Sequence, residues 1–588
     1  MKKRIISLAL VLFLIFSSLS FRIYLLSVKN IYSVSTTNTL KTNTIALSRG
    51  NVYDRNLKRI TNSKEKYIAC IKPTAKSFVE IERLLNKTQV ETELKKGHLV
   101  TTTVPEADYF KESNDILTLT TFERYEGNSL SHILGYCNAN KGEYGIEKYY
   151  DSILTKASGS ISLKYHCDAL GRVLNGEPTE VYNDNYNNAS GVVLTIDKDI
   201  QKILENALIN HNIEVGCGVV LDVETSDILA CASLPVIDRT NLEETLKNEN
   251  SPFINRAFSG YSVGSVFKIV TAASALENGA SDLIYECNGS ITKSDNTFNC
   301  NKKDGHGEMD LKSALTYSCN PFFIELACNV GGENLLKTAQ SLGFNSPTNF
   351  GNGYFTDKGN LPEREELNSS ASIGNLGFGQ GSLLATPLQI ANCYATVANG
   401  GNYNEPSLIK GFVDEDEKLT STNKKTSKRV LKTETCNILK EYLLNVVTTG
   451  TGKPAFTSLF LSCGKTATAE SGQYDKNGVE ISHSWYVGFF PYENPKYVIC
   501  IMKENGVSGS SDCAPVFKEV AEEIYILNKL KVAELKELIS SKGENRGLGL
   551  YKVKDILKKY PKIKHETTAS YGIFSQKLII DKIKLPVS

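Results

Sequence analysis

Apolar residues at Ile200, Ile203, Leu204, Ala207 and Leu208 recur at i, i+3, i+4, i+7 and i+8, which predicts an amphipathic helix that buries one face. Residues 218–221 and 228–231 are short apolar runs on either side of a polar turn at 224–227, and predict two antiparallel strands. Helical spacing returns at 267–276, 311–316 and 388–398, and strand-like runs fall at 461–468, 485–490 and 497–502. Helices and antiparallel strands mixed through residues 191–528 predict an α+β domain, a sheet flanked by helices.

The N-terminal end has a different pattern. Lys2, Lys3 and Arg4 precede an uncharged apolar run at 5–21, and after Arg22 comes a second run at 23–28. About 20 apolar residues span a bilayer, so residues 1–29 are long enough to be a single-pass anchor with Arg22 snorkelling to the interface. The basic cluster places the N-terminus in the cytoplasm and the body of the chain outside the cell membrane. A cleaved signal peptide is the alternative, with Ser18-Leu19-Ser20 as a poor cleavage site. No cysteine lies in this segment, which argues against a lipoprotein.

Residues 30–48 are rich in Ser, Thr and Asn and read as a membrane-proximal linker. From 49 to 188 the pattern is mixed and polar, with short strands such as 67–71, and the Asn/Tyr/Asp-rich stretch at 182–190 reads as a boundary. The expected organisation is an anchor at 1–29, a mixed N-terminal domain at 30–190, the α+β domain at 191–528 and a Lys-rich tail or small accessory domain at 529–588. In that tail, residues 549–560 suit a helix and 578–580 a strand.

Composition narrows this picture. Of 588 residues 41% are hydrophobic and 22% charged, an ordinary globular balance, and a net charge of +1 gives no footing for nucleic acid. Fourteen cysteines are many for an external protein, where thiols are expected to pair. They show no C-x-x-C pair and no zinc-ligand spacing. Cys231, Cys328, Cys393 and Cys500 sit in apolar runs and read as small core residues, whereas Cys287 and Cys300 flank a polar hairpin-like stretch and are the best-placed disulfide pair.

Three segments carry candidate chemistry. In Gly264-Ser265-Val266-Phe267-Lys268 a glycine leads into a helical pattern, so Ser265 and Lys268 share a face. Lysine activates a serine hydroxyl if burial and a nearby cation, here Lys465, disfavour its charged form. Ser318-Cys319-Asn320 offers a hydroxyl to relay a proton and an amide to hold a peptide. Lys465-Thr466-Ala467-Thr468, after an apolar strand at 459–463, offers a cation and hydroxyl for a carboxylate, an edge for an extended peptide, and a Thr468 N–H as oxyanion donor beside that of Ser265. S-x-x-K also occurs at Ser63, Ser290, Ser407, Ser421 and Ser462, so weight rests on the order and context of all three segments.

With these segments the chain resembles the class B penicillin-binding proteins, monofunctional peptidoglycan D,D-transpeptidases. Arg49-Gly50-Asn51-Val52-Tyr53-Asp54-Arg55-Asn56, Gly145-Ile146-Glu147-Lys148-Tyr149-Tyr150-Asp151, His306-Gly307, Ala385-Thr386-Pro387-Leu388-Gln389 and Trp485-Tyr486-Val487-Gly488-Phe489 extend the likeness. It implies a penicillin-binding transpeptidase (β-lactamase-like) fold on a non-catalytic pedestal. By match, Ser265 is the acylated nucleophile, Lys268 its base, Ser318 the proton relay and Asn320 a substrate-amide ligand, while Lys465 and Thr466 bind the terminal D-Ala carboxylate. It further implies D-Ala-D-Ala stem peptides, an amine acceptor and β-lactams as ligands, a separate membrane-embedded glycan polymerase as partner, and no metal or organic cofactor. A D,D-carboxypeptidase or endopeptidase shares the acylation chemistry, and a β-lactam sensor or inactive scaffold is a more distant alternative. Three positions depart from the family pattern: Ser262-Val263 before Gly264, Val266 for a usual threonine, and Ala467 for glycine, where a methyl is expected to shift the strand or narrow the cleft. Residues 547–576 are faintly similar to a small wall-binding PASTA module that lacks its proline pattern.

Overall fold

The computed structural model describes residues 2–33, 40–111, 113, 115–138, 140–168, 170–422, 427–474, 476, 478–540, 563–570 and 573–580. The chain divides into two compact units, one made of Met1–Asn51, Thr61–Glu126 and Leu154–Ser190, the other of Val52–Ile60, Gly127–Ile153 and Gly191–Ser588. The second unit therefore draws on two early segments of chain as well as on everything after Ser190.

In the first unit, helix α1 (Lys2–Ser33) carries the apolar N-terminal run, and its Phe13, Leu14 and Phe16 side chains are exposed. Among the described residues no helix is long and apolar enough to cross a membrane. Part of the expected linker is instead a strand, Leu40–Ser48, paired with Gly159–His166, which in turn pairs with Glu180–Asp184. Its Thr, Ile and Leu residues suit a pleated, half-buried surface better than the Ser/Thr/Asn content of the whole stretch suggested. A second sheet sets Lys64–Ile71, which includes the strand expected at 67–71, between Val100–Val104 and Ile116–Glu123. Ala69, Ile71, Ile81, Val90, Leu94 and Val104 form its core.

The second unit is built on a five-stranded sheet of β1 (Gly216–Asp222), β2 (Ile228–Leu234), β3 (Cys463–Tyr474), β4 (Glu480–Phe490) and β5 (Tyr497–Lys503), in the order β2-β1-β5-β4-β3. Every neighbouring pair is antiparallel. Helix α2 (Lys198–Asn210) is the expected amphipathic helix, capped by the Asp197 carboxylate, which accepts the N–H groups of Asp199 and Ile200. Further helices are α3 (Lys268–Glu277), α4 (Leu311–Tyr317), α5 (Asn320–Val330), α6 (Pro387–Ala398) and α7 (Ala514–Ser540). Leu204 and Leu208 of α2, Phe517 and Val520 of α7, and Ile499 and Ile501 of β5 meet in one core. Val498, Cys500 and Met502 alternate to the other face of β5. There α6 packs against β1, β4 and β5 with all of its residues buried, its polar Gln389, Asn392 and Thr396 hydrogen-bonded to backbone carbonyls.

One boundary differs from expectation for a local reason. β3 begins at Cys463, not at 459, because its partner β4 ends at Phe490 and Pro491 has no N–H to extend the ladder. In the tail, Ile563–Ser570 pairs with Ile573–Ile580, which contains the strand expected at 578–580. The helix expected at 549–560 lies outside the described residues.

Candidate active site

The three chemical segments meet on one side of the second unit. Ser265 is half-buried in a single 3-10 turn, Gly264–Phe267, that leads directly into α3. Gly264 has φ +57°, and a Cβ there would fall 3.1 Å from the Ala469 Cβ and 3.3 Å from the Thr468 carbonyl oxygen. Glycine thus serves twice, for a left-handed backbone and for close approach to β3. The turn is clamped from several sides. The Gly264 N–H donates to the Gly379 carbonyl (2.9 Å), the Trp485 indole N–H to the Ser262 carbonyl (3.1 Å) and the Tyr394 hydroxyl to the Val266 carbonyl (3.0 Å).

Lys268 is fully buried. Its Nζ lies 2.9 Å from the Ser318 carbonyl oxygen, 3.2 Å from Ser318 Oγ and 2.7 Å from Asn320 Oδ1. An ammonium has three donors, and these three acceptors match them. Among the described residues no hydrogen bond to the Ser265 hydroxyl is present, so the lysine rests on the Ser318 turn rather than on the serine. Ser318 reaches it because it adopts a left-handed conformation (φ 60°, ψ 41°) where α4 ends and α5 begins. That conformation turns both its carbonyl and its hydroxyl towards Lys268. The Asn320 Nδ2 donates to the Asn299 carbonyl at 3.3 Å.

Burial pushes the Lys268 amine down to about 7. Burial is the leading cause, as expected, but Lys465 is not the cation that assists it; the neighbouring charge acts the other way, with Lys268 helping burial to lower Lys465 well below its ordinary value. Lys465 is fully buried on β3, with its Nζ donating to the Thr466 carbonyl at 3.0 Å. The Thr466 hydroxyl pairs with that of Thr451 at 2.8 Å, a supporting contact that no motif announced.

Strand β3 is the sheet edge, and its residues alternate. Lys465, Ala467 and Ala469 are buried, while Thr468 and Glu470 are exposed. The Ala467 methyl, expected to shift the strand or narrow the cleft, is buried on the strand face it shares with Lys465 and Ala469. Behind it the chain is tight, since a Cβ on Gly509 would fall 2.5 Å from the Ala467 carbonyl oxygen. Thr468 directs its carbonyl towards Gly264, and in a strand the N–H of a residue points to the same edge. That leaves the Thr468 N–H facing the Ser265 turn.

One S-x-x-K decoy is set aside by the fold. Ser290–Lys293 is itself a strand, where positions i and i+3 face opposite ways. One cluster escaped the sequence reading altogether: Cys287, Cys300, His306 and Cys319 place their ligand atoms within 4.8 Å of one another, beside the Ser318 turn. Cys287 and Cys300 are both thiols, so the expected Cys287–Cys300 bond is absent. The two sulfurs are brought close, as that expectation required, but in company with a third thiol and an imidazole.

A serine on a tight turn, a buried lysine behind it, a polar S-x-N corner and a cationic edge strand define a serine acyl-transfer architecture. A family profile described as the penicillin binding protein transpeptidase domain matches residues 216–522. The chain belongs to this family, as a class B penicillin-binding protein. It is 30% identical over 404 residues to stage V sporulation protein D of Bacillus subtilis, a match that takes in 64% of this chain and 59% of that protein. It is 28% identical over 464 residues to the peptidoglycan D,D-transpeptidase MrdA of Haemophilus influenzae, covering 68% and 69%. A solved structure titled "Structural coordination of polymerization and crosslinking by a peptidoglycan synthase complex" superposes with TM-score 0.63 at 25% identity, covering 88% of this chain and 97% of the other.

Proposed function

We propose that this protein is a peptidoglycan D,D-transpeptidase that works through a Ser265 acyl-enzyme and is acylated by penicillins at the same residue. The observation that carries this reading is the buried Lys268 amine held between Ser318 and Asn320, on the helix that presents Ser265. In its neutral form Lys268 takes the Ser265 proton as Oγ attacks the penultimate D-Ala carbonyl carbon. The N–H groups of Ser265 and Thr468 face the oxyanion. The C–N bond to the terminal D-Ala then breaks, and Ser318 passes a proton to the leaving amine. An amine from a second stem peptide attacks the ester, and Ser265 Oγ leaves with its proton restored. Lys465 and Thr466 hold the terminal carboxylate, whose negative charge raises the affinity of the buried Lys465 amine for a proton, taken up from solvent as substrate binds.

The single-pass anchor at 1–29 is supported by the sequence alone, by the uncharged apolar run at 5–21 and the run at 23–28 behind Lys2, Lys3 and Arg4, which would place the N-terminus in the cytoplasm and the catalytic unit outside. The remainder of the first unit serves as a pedestal. The likeness to a member of a peptidoglycan synthase complex supports a membrane-embedded glycan polymerase as working partner.

The test uses the full chain in detergent. Fluorescent penicillin should label the protein and not its Ser265→Ala variant, and a stem-peptide donor with an amine acceptor should yield cross-linked product and free D-Ala. A wild-type protein that takes no label would sink the proposal, and a hydrolysed product without cross-links would point to a carboxypeptidase.

A further inference from the structure

Residues 285–309 form a small lobe with almost no apolar interior. Strand Tyr285–Cys287 pairs with Gly307–Met309, and between them Ser290–Lys293 pairs with Asn296–Asn299. The buried apolar residues of this stretch are Cys287, Cys300 and Met309. Three such side chains do not hold a lobe of this size together, and small units of this kind are usually stapled by disulfides or metal.

The lobe instead converges four metal-binding side chains. Cys287, Cys300 and Cys319 are 1%, 5% and 0% exposed. His306 Nδ1 lies 3.3 Å from Cys300 Sγ and 3.8 Å from Cys287 Sγ. In a tetrahedral zinc site, bond lengths of about 2.3 Å to sulfur and about 2.0 Å to nitrogen set the N···S separation at roughly 3.6 Å. The two observed distances bracket that value. The backbone is arranged for the convergence as well. Gly289 (φ +95°) and Gly305 (φ +77°) let two loops cross so closely that a Cβ on either would fall 2.0 Å from a carbonyl oxygen, of Lys303 and of Cys287 respectively. The Cys300 N–H donates to the Gly289 carbonyl at 2.8 Å and fixes the crossing.

We infer that Cys287, Cys300, His306 Nδ1 and Cys319 form a structural Zn²⁺ site that staples this lobe to the S-x-N corner. Three thiolates and one imidazole suit zinc over harder cations, and four protein ligands close the coordination sphere, as in structural sites. On binding, each thiol releases its proton to solvent and the sulfur donates a lone pair, while His306 keeps its proton on Nε2. The functional consequence follows from position. Cys319 is the middle residue of Ser318-Cys319-Asn320, so the metal fixes from behind the two side chains that hold Lys268. The family resemblance implies no metal. The inference is independent of the reaction assigned to the cleft.

The experiment is elemental analysis of the full chain purified in detergent under reducing, chelator-free conditions. About one zinc per chain is expected in the wild type and in Cys137→Ser, whose thiol lies outside the cluster, and less than about a tenth in Cys287→Ser and His306→Ala. Because these variants can fail to fold, the unmutated protein is also stripped with chelator and reloaded with Co²⁺, which should give thiolate-to-cobalt charge-transfer bands and recover the lost melting temperature. Wild-type protein with less than about a tenth of a zinc even after Zn²⁺ is added, or zinc retained by both cluster variants, overturns the site. So does a Cys287–Cys300 disulfide found in most molecules by mass mapping of the unreduced protein.

Discussion

Lys268 Nζ and Asn320 Oδ1 lie 2.7 Å apart, although 52 residues of chain separate them. This contact ties the helix that presents Ser265 to the corner that presents Ser318. Replacing the amide by a carboxylate keeps the contact and changes its charge. Asn320→Asp should hold Lys268 protonated and move the acid limb of penicillin acylation up by about one pH unit or more, since an opposite charge at this range favours the ammonium. Stopped-flow labelling across pH 5.5–9 checks it, and an unmoved limb would show that Lys268 is not the titrating group.

The wild-type profile has its own expected shape. With the Lys268 amine pushed down to about 7, its neutral form dominates above that value. Second-order acylation by penicillin should rise roughly tenfold between pH 6 and pH 8 and then level off.

Gly264 is the tightest backbone position next to the serine. Gly264→Ala forces a side chain into a left-handed conformation, at a cost of about 1–2 kcal/mol, and drives its methyl against Ala469. The Ser265 hydroxyl is displaced in consequence. Acylation should fall by about 10²-fold, while the circular dichroism spectrum stays that of a folded protein.

Ala467 departs from the family's glycine with its methyl on the buried side of β3. Restoring glycine should therefore leave the acylation rate within about threefold and lower stability by about 0.5–1 kcal/mol, the ordinary cost of glycine in a strand. A large gain in β-lactam reactivity in Ala467→Gly would mean that the methyl does reach the cleft.

His132 gives the second unit an acid sensitivity. It is buried, with Nε2 2.6 Å from the Pro252 carbonyl oxygen, and burial lowers its folded pKa to about 4 from an ordinary 6.5. The unfolded chain then binds the extra proton first as pH falls. Its stabilising share is complete above about 6.5 and is lost on the way down to about 4, up to about 3 kcal/mol. Urea melts at pH 7 and pH 5 should differ more for the wild type than for His132→Asn.

Much of the second unit was legible because its elements carry their own period. The 3.6-residue pattern of α2 and the paired apolar runs of β1 and β2 say what is buried and on which face. The linker reading failed at Leu40–Ser48 because strand character there depends on a partner, Gly159–His166, more than a hundred residues away. At the site the sequence supplied residue types, order and the glycine before Ser265. It left open that Lys268 rests on Ser318 and Asn320 instead of Ser265, because a left-handed residue at the end of α4 sets that contact.

The cysteines mark the same division. Spacings of 13, 6 and 13 residues between Cys287, Cys300, His306 and Cys319 match no short ligand pattern, and along the chain they suggested only a disulfide pair. By itself the sequence determined the main helices and strands of the five-stranded sheet domain, the residues expected to carry acyl transfer and the family, because those are written in local period and in short motifs. Only the tertiary structure decided which buried group Lys268 answers to, which side of β3 bears the Ala467 methyl, and that three thiols and an imidazole share one point in space. Those depend on chain crossings, at Gly264 against β3 and at Gly289 against Gly305, where close packing and not sequence distance determines what meets.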